Sequence, residues 1–273
     1  MEEKAPPAPA SAPVPALLSN PAEAATSTAS GSSVPTEGEQ PQSTDLPTSL
    51  PPSPFANLKL AKVPENLRRA QCPQCKSRKL LYCPECQIPL EPFVPRFDLP
   101  IHCDVIHHPQ EKRTKSTAIH AAVLCPDHVT IHEFPSFPAF DPTESVLLYP
   151  CPEARSLHEI DLRRVKRVVF IDSTWQKAGS VLHHPTLANI PRVKIEAENT
   201  AFWRYQDVSP HCLATIEAIY YFFREFANAK DGRYEGQYDN LLYFFSYYYD
   251  KIQSYYRSDP SLKFSKIDGY IKY

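Results

Sequence analysis

The chain is 273 residues long with a formal net charge of −2, which leaves room for one sizeable domain with additions. It has no apolar stretch long enough to span a bilayer and no basic start followed by an apolar run, so a soluble, intracellular protein is expected. The small net charge also excludes the strong overall basicity of a tight nonspecific nucleic-acid binder.

Residues 1–57 hold 12 of the 30 prolines, are rich in Ala, Ser and Thr, and contain one aromatic, Phe55. Such a segment cannot bury enough apolar surface to offset its ordering entropy, and disorder is expected throughout it. Its six acids face only Lys4, leaving 28 basic and 25 acidic residues from position 58 onward. Any contact with RNA must therefore come from local clusters of charge.

Residues 64–70 read as a short helix leading into Cys72-Pro-Gln-Cys75 and, seven residues later, Cys83-Pro-Glu-Cys86. Two such knuckles close together form a tetrahedral thiolate set with no position open for water, the arrangement of a structural zinc site. Cys103, Cys125, Cys151 and Cys212 are scattered and read as ordinary buried residues. The proline-rich stretch 88–100 connects to a strand at 101–106. The following loop contains His107, His108, Lys112 and Arg113. The paired histidines lack a metal-ligand spacing, so a metal there is not expected. A basic, hydroxyl-rich loop after a strand suits phosphate contacts; a plain solvated loop is the alternative.

Residues 118–124 fit either a helix or a strand. Residues 146–149 form a better strand, and 155–164 read as helical. Arg163, Arg164, Lys166 and Arg167 make the densest basic cluster, open to an RNA role or to a solvated helix end. Then comes Val168-Val169-Phe170-Ile171, an apolar strand that turns at once into Asp172-Ser173-Thr174-Trp175. That places Asp172 at the carboxyl end of a strand, the edge where open α/β sheets bind ligands; a simple helix cap is the bland alternative. A helix over 174–182 and a strand over 193–195 follow. The alternation implies an α/β fold with a mainly parallel sheet and flanking helices. A helix from about 213 carries the apolar stripe Leu213, Ile216, Tyr220, Phe223 and Phe226. A last helix over 238–257 carries Tyr238, Leu241, Leu242, Phe245, Tyr249, Ile252 and Tyr256 on one face. Residues 258–273 read as a polar tail.

Four stretches in order, Asp172-Ser173-Thr174-Trp175, Ala201-Phe202-Trp203-Arg204-Tyr205-Gln206, the segment from Leu213 to Phe222, and Gly236-Gln237-Tyr238-Asp239-Asn240-Leu241-Leu242, resemble the DTW-domain family of tRNA-uridine aminocarboxypropyltransferases. The resemblance covers residues 66–257. It implies a zinc module with its connector over 66–100 and a catalytic domain over 101–257. That domain would be SPOUT-like and knotted, with S-adenosylmethionine held by loops. Carried over by position, these are Leu148, Tyr149 and Pro150; residues 171–175 with Ile171; and 212–215 with Leu213 and Thr215, joined by Glu217. The implied reaction moves the 3-amino-3-carboxypropyl group to N3 of a tRNA uridine. Asp172 is the candidate base, with Thr174 and Trp175 beside it. Arg204, Lys112, Arg113, Arg163 and Arg164 are candidates for RNA or for the donor's carboxylate.

The chain departs from the family pattern where Ala214 replaces a Ser that would cap the helix ahead of Glu217, and at the end of the loop 108–118. An RNA methyltransferase of the same fold and a non-catalytic zinc-containing RNA-binding protein stay open. Replacing Asp172 with Ala is expected to abolish transfer and leave zinc content and folding intact. A nuclear or cytoplasmic location, or both, is expected; oligomeric state is not legible.

Overall fold

The structure is a computed structural model and describes residues 53–196, 198–203 and 211–258. Two small antiparallel hairpins come first, β1 (Ala70–Gln71) with β2 (Arg78–Lys79) and β3 (Tyr82–Cys83) with β4 (Ile88–Pro89). The main domain follows as β5 (His102–His107), α1 (Ala118–Leu124), β6 (Val129–Glu133), β7 (Ser145–Leu148) and β8 (Arg155–Ser156). It continues as β9 (Arg167–Asp172), α2 (Trp175–Leu182), β10 (Arg192–Lys194), α3 (Thr215–Asp231) and α4 (Tyr243–Ser258). The six strands of the main sheet run in the order β6-β5-β9-β7-β10-β8, and every pairing is parallel.

A parallel sheet is covered on both faces, and the side-chain alternation of β9 divides its residues accordingly. Val168 and Phe170 join the larger core with α1, α3 and α4. Val169 joins Ile106, Leu147 and Val181 in a smaller core beneath α2. The larger core is aromatic: Phe222, Phe223, Phe226, Tyr243, Phe244 and Phe245 are all buried. Each such side chain contributes about 1.5–3 kcal/mol by leaving water.

Several expectations are corrected. Phe55, inside the segment expected to be disordered, is only 8% exposed and packs edge-on against Phe245 and Tyr249. The Phe55 ring and the Ser53 hydroxyl, which donates to Asp250 at 3.3 Å, tie 53–57 to the domain. No helix forms over 64–70. Residues 155–164 are not helical beyond one 3-10 turn, Leu157–Glu159, whose start is closed by a capping box between Ser156 and Glu159; Ile160 and Leu162 pack on the core from an extended chain and a turn instead. The ambiguous 118–124 is a helix buried on every side, which explains the missing amphipathic period. In the last helix, residues Asp239–Leu242 wind as a 3-10 turn before α4 begins. Three residues per turn instead of 3.6 rotates the stripe. Tyr243, Phe244, Phe245 and Gln253 are buried, whereas Tyr249, Ile252 and Tyr256 are only partly covered.

Candidate active site

Asp172 ends β9 and is 6% exposed, but it does not cap its own helix. Thr174 is the N-cap of α2, and the Asp172 carboxylate is turned toward other elements. His107 Nδ1 donates to Oδ2 at 2.6 Å, Ser116 Oγ donates to Oδ2 at 2.7 Å, and Thr215 Oγ1 donates to Oδ1 at 2.6 Å. One carboxylate thus gathers the end of β5, the loop after it and the first residue of α3. His107 also donates from Nε2 to the Glu111 carbonyl at 3.1 Å. A carbonyl and a carboxylate can each accept, so these partners suit a ring with a proton on both nitrogens. Burial opposes that charge, but the hydrogen bond and negative charge of Asp172 outweigh it, and the His107 pKa is raised.

The start of α3 is held from a distance. With Ala214 at the N-cap, the hydroxyl half of a capping box is missing. Thr117 Oγ1, from the β5–α1 loop, accepts from the Ile216 amide at 3.2 Å in its place. Thr215 does not take over the cap, since its hydroxyl goes to Asp172. The other half of the box is made: Glu217 accepts from the Ala214 amide, and also from Thr200 Oγ1 and the Ala201 amide, each at 2.6–2.7 Å. Burial pushes the Glu217 carboxyl up despite these three donors. It is a buried clasp between α3 and 200–201 rather than a wall of an open site.

Of the other sequence candidates, Thr174 and Trp175 are exposed at the same sheet edge, Trp175 at 40%. The Trp175 ring lies 6.3 Å from that of Tyr149, in the loop after β7. Leu148, Pro150, Ile171 and Leu213 occupy strand ends or loops at this edge, Thr215 opens α3 there, and all five are at least partly accessible. Arg113 is paired with Glu133, and Lys112 is exposed in the same loop. Arg163 and Arg164 lie just before β9, at its amino end, so they sit at the opposite edge of the sheet from Asp172. The five-residue separation from Arg167 to Asp172 is about 17 Å of strand. Arg163 is moreover gripped by Asp161. Arg204 lies outside the described residues. His107 was expected only not to bind metal, and Ser116 and Thr117 only as part of a loop suited to phosphate contacts; their bonds to Asp172 and α3 had no signal beyond a polar residue at the end of an apolar strand and hydroxyls in the loop behind it.

The four knuckle cysteines converge. All their sulfurs lie within 4.8 Å of one another, near the roughly 3.8 Å edge of a tetrahedron with 2.3 Å zinc–sulfur bonds. The Lys76 amide donates to the Cys72 carbonyl at 3.0 Å, closing the first knuckle. Lys76 and Gln87, each directly after the second Cys of its knuckle, have φ of 61° and 53°. The left-handed conformation costs a non-glycine residue about 1–2 kcal/mol, so the same tight turn is imposed twice against local preference. The residues present fit a four-thiolate metal site.

The sequence pattern of the DTW domain matches residues 69–253. The chain belongs to the DTW domain family. A mouse (Mus musculus) tRNA-uridine aminocarboxypropyltransferase 1 is 34% identical, the match covering 74% of this chain and 84% of the relative. The human (Homo sapiens) protein of the same name is 30% identical over 80% and 89% of the two chains. Among solved structures, the SAM-dependent rRNA:acp-transferase Tsr3 from Vulcanisaeta distributa matches 55% of this chain and 82% of its own at 20% identity, with a TM-score of 0.35.

The DTW signatures divide by role. Asp172 to Trp175 is the turn at the carboxyl end of β9, where Asp172 meets β5 and α3. Gly236 to Leu242 is scaffold: Asp239 Oδ2 accepts from the Lys59 amide at 2.7 Å, and Asn240 accepts from the Ala61 amide at 2.8 Å. Gly236 has φ of 87°, and a Cβ there would lie 2.8 Å from Asp239 Oδ2, so only glycine lets this clamp close on 59–61.

Proposed function

We propose that this DTW-domain chain is a tRNA-uridine aminocarboxypropyltransferase, moving the 3-amino-3-carboxypropyl group of S-adenosylmethionine to N3 of a uridine. The new bond joins N3 to the propyl carbon, the sulfur–carbon bond breaks, methylthioadenosine leaves and the N3 proton is lost. Family membership and the names of the relatives support the reaction class. The observation that carries the site assignment is Asp172, a carboxylate at the carboxyl edge of a parallel sheet and fixed by three other elements.

The donor's sulfonium supplies the activated carbon, so the protein's work is orientation. Oδ1 of Asp172 accepts only from Thr215 among the described residues, which leaves a lone pair for the uracil N3–H. Proton removal concerted with attack fits a carboxylate so held. Trp175 and Tyr149 offer aromatic faces for the base or the donor's adenine, and the loops at 148–150, 171–175 and 212–215 line the donor's place. A SPOUT-like knotted thread and Zn2+ on Cys72, Cys75, Cys83 and Cys86 belong to the same proposal, the metal holding the hairpins without a chemical step. The test is bulk tRNA with donor labelled either in the carboxyl carbon or in the methyl group. Carboxyl label in the RNA, recovered as a modified uridine, is the expected result; methyl label alone would make it a methyltransferase, and neither label would leave a binding protein.

A further inference from the structure

Surplus positive charge is concentrated in one short segment. Residues 59–79 carry seven Lys and Arg (Lys59, Lys62, Arg68, Arg69, Lys76, Arg78, Lys79) against the single acid Glu65. From residue 80 to the end there are 21 basic and 24 acidic residues. The β1–β2 hairpin folds this segment on itself, setting Ala70 opposite Lys79 and Gln71 opposite Arg78, and Arg78 Nη2 reaches the Arg69 carbonyl at 3.2 Å. Lys62, Arg68, Arg69, Lys76 and Arg78 are exposed. None of the seven has an acidic partner among the described residues. In the sheet domain Arg113, Arg163, Arg167, Lys177 and Arg224 are paired with carboxylates, and the unpaired cations are interspersed with an excess of acids. Folding therefore holds like charges together and leaves them without counter-charge, the mark of a surface made for a polyanion.

The hairpin module also touches the site's own scaffold. Tyr82, at the start of β3, is 3.0 Å from His120 of α1, three residues after the Thr117 that caps α3. We infer that the basic hairpin of the cysteine module is the docking surface for the sugar–phosphate backbone of the RNA substrate. It holds the RNA by its backbone while the target base reaches the Asp172 edge. This rests on the transferase reading for the identity of the RNA, but the binding measurement stands apart from the chemistry.

The test is full-length protein carrying Lys62→Gln, Arg68→Gln, Arg69→Gln and Arg78→Gln together, against wild type and against a control with Arg163→Gln and Arg164→Gln. Thermal melting and metal content show whether the module is still folded; a second variant, Arg68→Gln with Arg69→Gln, leaves the Arg78 contact in place. Docking on the hairpin predicts a tRNA Kd raised at least tenfold and a salt dependence of log K shallower by about three to four for the quadruple variant. It also predicts a raised KM for tRNA with kcat at saturation unchanged, and a control that binds as wild type does. Unchanged affinity and salt slope in a folded quadruple variant overturn the inference, as does an equal loss in the control. Loss of binding to anionic vesicles with tRNA binding intact overturns it in favour of a membrane surface. A wild type that binds tRNA through the hairpin yet transfers nothing defeats the enzymatic reading and leaves the docking surface standing.

Discussion

His107 and Asp172 face each other at the last register position of neighbouring parallel strands, and the ring donates to the carboxylate at 2.6 Å. The two ends of β5 and β9 are therefore locked by a pair in which the ring's other nitrogen is also engaged. The raised His107 pKa gives this pair a pH signature. Its contribution to stability is full below the ordinary histidine value of about 6.5 and is lost as pH rises through the higher folded value. In urea unfolding across this window, the stability gap between wild type and His107→Gln is expected to narrow as pH rises. A gap constant with pH rules out the charged pair.

Asp172 does more than the sequence suggested, and one expectation changes with it. Removing a buried carboxylate that three elements share leaves His107 Nδ1, Ser116 Oγ and Thr215 Oγ1 without their acceptor. Asp172→Ala is thus expected to cost about 3–5 kcal/mol as well as transfer activity. Asp172→Asn keeps an acceptor and should cost less, about 1–3 kcal/mol, while still losing transfer. Donor-label transfer measured beside chemical denaturation separates the two effects. Full activity in a folded Asp172→Asn removes the carboxylate from the reaction.

The borrowed cap makes a double-variant prediction. Thr117→Ala frees the Ile216 amide and should lower stability by about 1 kcal/mol. Ala214→Ser restores a local cap and should recover part of that loss when combined with Thr117→Ala. Additive rather than compensating effects in thermal melts would mean that Thr117 is not serving as the cap.

Trp175 is too exposed to carry the core, so Trp175→Ala should change stability by less than about 0.5 kcal/mol. If its ring stacks on the target base, the same change should weaken productive binding by about 1–3 kcal/mol, tenfold or more in kcat/KM, with Trp175→Phe retaining much of it. An alanine variant with wild-type kinetics takes the Trp175–Tyr149 pair out of the site.

The left-handed turn after each knuckle can be relaxed. Gln87→Gly should stabilise the module by about 1 kcal/mol with the metal content unchanged. Cys83→Ala removes a buried ligand and should release the metal and loosen both hairpins. Metal analysis and melting curves check both; metal retained in full by Cys83→Ala would refute the four-thiolate site.

The sequence alone determined the features set by local pattern. The knuckle spacing brought four sulfurs together, the apolar run 168–171 made the central strand, and the turn after it put Asp172 at the carboxyl edge of a parallel sheet. The ordered signatures carried the family. Tertiary structure alone decided what those residues do once placed. Phe55 is buried because Phe245 and Tyr249, nearly 200 residues away, offer it a ring-lined place. The cap missing at Ala214 is made good by a threonine from another loop. Arg163 and Arg164, next to the signature strand in sequence, end up at the far edge of the sheet because a strand separates its two ends in space. Hydrogen bonds and burial join residues by proximity, and proximity between distant segments has no period or spacing in the chain from which to read it.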